Sequence, residues 1–254
     1  MSSELDFRLD DFEPADADSE YAEQRFWAGD LTVLAEHHTT PNGSHSFVVA
    51  HDRSVTWGVP GEPQIAAIRV ARELSQNTFT FERTYHSTVS LAQNWLIERG
   101  CTPEGIAQAG DDFMKPADDL TVRVEQQLRM SGGRYEVLDS YTSDYDPCET
   151  WTLTRDSHAA EEPVRLFLEE GDYESHTYTM REGAFPDEAS ARQWLDDRDD
   201  LPPPPENRGR AAAHRTRAAL SRSAGAAAVP EASPGAPQVG TASTAQRPTP
   251  RRSM

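Results

Sequence analysis

Four of the chain's eight histidines crowd one short stretch: His37, His38, His45 and His51. Imidazole changes charge near neutral pH and is the commonest metal-ligating side chain, so such a cluster has the chemistry to bind a metal or relay a proton. Asn42-Gly43 between them is a type I′ turn signal. A two-residue turn there sets His38 opposite Phe47 and Leu34 opposite His51. On that register His38 and His51 share the sheet face of Phe47 and Val49, which makes them candidates for a binding site. The plainer reading is histidines scattered over a polar strand. It carries more weight, and neither a metal nor any other cofactor is expected.

A second candidate is aromatic. Trp57 leads the run Trp57-Gly58-Val59-Pro60-Gly61. A rigid aromatic in a Pro/Gly-rich loop offers a large contact area at low entropic cost. Trp57 is therefore expected to meet a partner; the alternative is that it folds back over the edge of the core. Signatures of catalysis are missing: no phosphate-cradling Gly-rich loop, no paired Cys-x-x-Cys, no His-Glu-x-x-His and no Gly-x-Ser-x-Gly. Carboxylates are so abundant that pairs at the ~5–10 Å spacing of glycoside hydrolysis arise by chance.

The elements that must position these residues can be read by comparing the chain with itself. Asp10-Asp11-Phe12 with Pro14-Ala15-Asp16 recurs as Asp111-Asp112-Phe113 with Pro116-Ala117-Asp118. Val33-Leu34, Asp52, Ala92 and Trp95-Leu96 recur as Val137-Leu138, Asp156, Ala191 and Trp194-Leu195. A repeat this long is a duplicated domain rather than a solenoid unit, which runs ~20–50 residues.

Each copy predicts a helix (16–28 and 118–130), four strands and a closing helix (88–99 and 187–198). The first two strands are placed at 31–38 and 46–52, with partners at 134–142 and 150–156. The third, 65–76, has helical periodicity, but its partner 163–168 alternates and ends at Gly171-Asp172, which decides for strand. The fourth is placed at 78–85 and 176–181. Trp95 and Trp194 are expected in the core. The fold class is thus α+β: a tandem duplication of a helix, a four-stranded antiparallel sheet and a helix, over 1–100 and 101–200. Helices on one face of each sheet would bury that face. Edge-to-edge docking of the two sheets would resemble, at fold level, saddle-shaped duplicated proteins such as the TATA-box-binding family, of which no motif is present.

Residues 201–254 change character. A run of four prolines, Pro202–Pro205, leads into Ala, Ser, Gly and Arg with almost no large apolar residue, a composition that predicts disorder. This tail carries eight Arg and two Glu, about +6, leaving 16 basic and 41 acidic residues in 1–200, about −25. Such a body repels phosphate backbones and attracts basic proteins, cations or its own tail. Direct nucleic-acid binding by the folded part is not expected.

The amino-terminal stretch is acidic, without an apolar run, which argues against a signal peptide. No run approaches the ~18–20 apolar residues of a membrane span. Cys101 and Cys148 make no disulfide framework, and free thiols in a reducing cytoplasm are the simplest reading. The expected function is that of a cytoplasmic, non-enzymatic protein-interaction or regulatory module, with a protein partner of basic character and no membrane. Two alternatives belong to other classes: a carboxylate-dependent hydrolase such as a glycosidase, and an acidic mimic of nucleic acid that occupies a DNA-binding protein. A deep pocket with acids in unlike environments would favour the hydrolase.

Overall fold

Each helix begins on a residue suited to cap it. Asp16, Thr88, Asp118 and Asp187 have extended backbones, and their side chains accept from the backbone N–H three residues on. They start α1 (Ala17–Gln24), α2 (Val89–Glu98), α3 (Asp119–Arg129) and α4 (Glu188–Asp197). The structure, a computed structural model, describes residues 5, 7–39, 43–55, 61–107, 113–143, 145–198 and 201–205. All fall in the first of two compact units, Met1–Gly209; the second, Arg210–Met254, lies outside the described residues.

The strands are β1 (Glu13–Pro14), β2 (Leu31–His38), β3 (His45–Asp52), β4 (Ile65–Glu73), β5 (Thr78–His86), β6 (Lys115–Pro116), β7 (Tyr135–Ser143), β8 (Glu149–Asp156), β9 (Val164–Asp172) and β10 (Thr177–Phe185). They form two sheets, ordered β1-β5-β4-β3-β2 and β6-β10-β9-β8-β7. The molecule is α+β, but the expected four-stranded antiparallel sheets are corrected to five strands and mixed direction. The fifth strand is two residues long and runs parallel to β5 or β10. It attaches where Asn77 and His176 take left-handed φ values of 53° and 55°, turning their carbonyls toward Glu13 N–H and Lys115 N–H at 2.9 and 3.1 Å. Strands this short have no hydrophobic period to read.

The expectation of helices on one face is also corrected. In the first sheet α2 covers the face of Phe47, Val49, Ile65 and Ala67. The segment around Phe7 and Phe12, with Ala22 of α1 and Phe26, covers the opposite face of Val48, Ala50, Ile68 and Phe81. Two-sided burial was foreshadowed by the unbroken apolar runs 47–50 and 65–68, since a half-exposed strand alternates. Complete burial of Phe47 contributes about 1.5–3 kcal/mol. In the second sheet α3 lies on Phe167 and Met180, and α4 lies on Leu153, Leu166 and Phe185.

The two sheets do not join edge to edge as the saddle arrangement required. Instead α2 packs against α3, and Leu91 of α2 enters the cluster of Val124, Leu128 and Phe167. Ser87 Oγ, just before α2, lies 2.5 Å from Thr152 Oγ1 of β8.

The carboxyl-terminal expectation changes at its start. Residues 201–205 are placed, with Pro202 and Pro205 buried, and Ala184 N–H donates to the Pro203 carbonyl at 2.9 Å. Proline lacks an N–H, so a run of prolines presents rings and free carbonyls, which suits it to dock on a sheet. Residues 206–254, the rest of the expected disordered tail, lie outside the described residues.

Candidate ligand cavity between the two sheets

The sequence-predicted histidines do not converge. The loop after His38 is longer than two residues: Gly43 N–H donates to Thr39 O, and Thr39 N–H to His45 O. A bulge between Val33 and Ala35 also shifts the register. His37, not His38, therefore pairs with Phe47, and His51 pairs with Thr32 rather than Leu34. This puts His38 on the opposite face from Phe47 and His51. His38 is exposed, with Nδ1 2.8 Å from Ser46 Oγ and Nε2 3.9 Å from Glu36. Partial burial pulls its pKa down against the opposing pull of Glu36. His37 and His45 stack on the Phe47 ring. Among the described residues no group of three or more His, Cys, Asp or Glu side chains is arranged to hold a metal ion. Trp57 lies outside the described residues; the loop is picked up again at Gly61, whose carbonyl accepts from Thr142 N–H at 3.2 Å.

His51 does reach a site. Its Nε2 donates to Gln64 Oε1 at 2.6 Å, and both residues line a cavity of ≈ 270 Å³ where the first sheet, the start of α2 and the second sheet meet. Ile65, Val89, Phe113 and Met114 supply apolar wall. Thr142, Thr150, Glu169, Gly171 and Tyr178 supply the floor, all from the α3-facing side of the second sheet. Tyr173 and His176 stand exposed at the mouth, and Cys148 and Glu149 on the rim.

The electrostatics of the floor are unusual. Glu169 makes no hydrogen bond or ion pair among the described residues; enclosure by protein, then the nearby Glu125 carboxylate, push its pKa up to about 8. Its side chain is half-buried and lines the cavity. At neutral pH it is mostly a neutral carboxylic acid, able to donate a hydrogen bond. Tyr178 hydroxyl donates to Glu125 Oε1, and burial with the two carboxyls lifts the phenol far above its usual range. Glu125 is itself raised by burial, with the Tyr178 hydrogen bond opposing. Glu149 differs: it is held by an ion pair from Arg198. Thr142 is 8% exposed, and its buried Oγ1 has no hydrogen-bond partner.

Farther along the same face lies a buried ionic network. Arg134 grips Asp156 in bidentate fashion at 2.8 and 2.7 Å, and Arg165 reaches Asp156 at 3.2 Å and Glu182 at 3.7 Å. Burial alone would raise Asp156, but the Arg134 and Arg165 hydrogen bonds win and hold it at about 2.

Sequence reasoning missed Glu169, Tyr178 and Thr142, yet a signal was present. By register, Thr152, Arg165, Glu169 and Tyr178 occupy the places of Val48, Ala66, Val70 and Phe79 in the first sheet. Gly171 occupies the place of Arg72, whose side chain bonds Phe7 O, Gly43 O and Ser46 Oγ. Polar residues at buried register positions, and a glycine opposite an arginine that fills space, mark a face adapted to something other than packing.

Comparison with family models, with curated proteins and with solved structures found no match to this chain.

Proposed function

We propose that this chain is a tandem duplication, with copies over 1–100 and 101–200, that serves as a non-catalytic regulatory binding module. Its first copy keeps the apolar design; its second copy is opened into a ligand cavity. The equal strand order of the sheets and the shared bulge after Val33 and Val137 support common descent of the halves. The observation that carries the function is the exchange of Arg72 for Gly171: the same position is filled in one sheet and empty in the other. Small-molecule sites are concave, mainly apolar and furnished with a few polar groups, as this one is.

The loop bearing Trp57 supports a regulatory role. Its Gly61 end is tied by Thr142 N–H to β7, and the Thr142 side chain lines the cavity. A ligand that engages Thr142 would act on the residue that holds Gly61, and Trp57, four positions earlier and outside the described residues, is the contact proposed for a protein partner.

The test is a small-molecule fragment panel followed by ligand-observed NMR. Gly171→Leu restores a side chain where the first sheet has Arg72; its Cβ would come 2.9 Å from Cys148 Sγ and 3.3 Å from Met114 Sδ, both able to shift. Fragment binding should vanish in this variant while the circular dichroism spectrum stays unchanged. Fragments that bind both proteins equally would refute the cavity as the site.

One observation favours a second reading, hydrolysis. Glu169 and Glu149 line the same cavity in unlike environments, one neutral and one ion-paired, as an acid and a base would. Turnover of glycoside or ester substrates that is lost in both Glu169→Gln and Glu149→Gln would replace the binding reading with this one.

A further inference from the structure

We infer that the cavity ligand is a small organic cation, a protonated amine on an apolar or aromatic body, seated on Glu169 and Thr142. This rests on the proposal that the cavity is a binding site, and it adds the chemistry of what enters.

Three observations point the same way. First, Glu169 is a carboxyl on the cavity floor without a counter-charge among the described residues. A buried carboxylate without a partner is costly, and a cation removes that cost. Second, Thr142 Oγ1 is an orphan on the same floor, more than nine-tenths buried. An ammonium carries three N–H donors and needs several acceptors; the Glu169 carboxyl supplies the first, and a rotation of the Thr142 side chain, whose hydroxyl is closed off from the cavity as it stands, would supply another. Third, among the described residues no Arg or Lys lines the cavity, whereas Phe113, Tyr173 and Tyr178 give it aromatic wall. An anion would be expected to meet at least one such base; a cation gains from ring faces. The acidic body adds attraction at longer range.

The groups facing Glu169 set the proton traffic. From α3 come Glu125 and, behind it, Arg129; from β10 and its turn come Tyr178 and His176. From β3 comes His51, from the β7–β8 turn Cys148, and from the start of β8 Glu149, paired with Arg198 at the end of α4. The amino end of α2 also faces the cavity, but Thr88 already caps its Leu91 N–H. Binding then runs as neutral Glu169–COOH plus R–NH₃⁺ going to the carboxylate–ammonium pair plus one proton released to solvent. Since Glu169 titrates at about 8, affinity rises with pH by up to about tenfold per unit below that value and levels above it.

The experiment uses the full chain and three probes of nearly equal size: benzylammonium, benzyl alcohol and benzoate. Binding is read by NMR and by calorimetry at pH 6 and pH 8 in two buffers of different ionisation enthalpy. Benzylammonium should bind roughly tenfold or more tighter than benzyl alcohol and release close to one proton at pH 6. Glu169→Gln should remove both the preference and the proton release while retaining benzyl alcohol binding. The proton release of the wild-type protein stands as a test even if the variant fails to fold. Equal or tighter binding of benzyl alcohol or benzoate would overturn the cation and leave the cavity intact. Failure of all three probes to bind would overturn the cavity reading as well.

Discussion

The two sheets share strand order, bulge position and even an aspartate at the end of the third strand of each, yet they treat that aspartate differently. Asp52 in the first sheet accepts from Ser54 N–H, Ser54 hydroxyl and Tyr85 hydroxyl, all neutral donors. Asp156 in the second accepts from two guanidiniums, with Glu182 and Gln127 continuing the network. Around Asp52 lie Val48, Ala50, Ala66 and Ile68; around Asp156 lie Thr152, Thr154, Arg165 and Phe167. The backbone frame tolerates both solutions because a sheet fixes where a side chain points, not what it is. What changes is the cost of failure. Removing a neutral hydrogen-bond partner strands a hydroxyl, whereas removing one member of a buried ion network strands a charge.

That contrast gives the largest expected effect. Asp156→Ala should destabilise by about 3 kcal/mol, because buried Arg165 loses its nearest counter-charge and keeps only the longer contacts to Glu182 and Glu162, while Arg134 loses its bidentate partner. Asp52→Ala should cost about 1–3 kcal/mol. Urea unfolding of the two variants measures the difference; equal losses would erase it. The sign of the pH effect is fixed: Asp156 titrates at about 2, below its ordinary value, so its contribution is present above about pH 4 and lost as pH falls through 2.

The closing helices sharpen the same contrast. In α2 six residues are buried, and Arg99 stacks 3.7 Å over the Trp95 ring; in α4 only Ala191 is fully buried. Trp95→Ala should cost about 3 kcal/mol and Trp194→Ala about 1–2 kcal/mol, since both rings are partly covered but α2 is packed on two sides. Matched melting curves for the two variants would show that the helices are equivalent after all.

Glu169 tests the second sheet alone. Its folded pKa of about 8 lies above the ordinary 4.5, so the stability it contributes below about pH 4.5 is lost as pH rises through 8. The slope is at most about 1.4 kcal/mol per pH unit. Glu169→Gln should flatten it, making the variant the more stable protein at pH 8. Val70→Gln at the same register in the first sheet should only destabilise. A wild-type denaturation midpoint that does not move between pH 5 and 8 would refute the raised value.

The smallest effect is expected at Trp57. Trp57→Ala should change stability by less than about 0.5 kcal/mol while weakening capture of a protein partner. A loss of several kcal/mol would make Trp57 a core residue and remove the loop from the functional argument.

Much of this molecule was legible in its sequence. Capping residues such as Asp118 and Asp187 mark helix starts because their side chains bond backbone only a few residues away. Strands 31–38 and 78–85 follow from period and turn residues, which are local as well. The self-comparison decided 65–76 for strand by borrowing its counterpart's clearer pattern, and the strand found there is Ile65–Glu73. Three things needed tertiary structure. The register of His38 depended on a bulge and a loop length, and a one-residue slip moves every side chain to the other face. The parallel strands β1 and β6 are two residues long and exist only where a left-handed turn offers carbonyls. The cavity required Glu169, Thr142, His51 and Gly171, separated by up to 120 positions, to meet where two sheets and a helix converge. Local propensity sees none of those distances; the sequence determined which faces were polar, and packing alone decided that one of them would enclose a space.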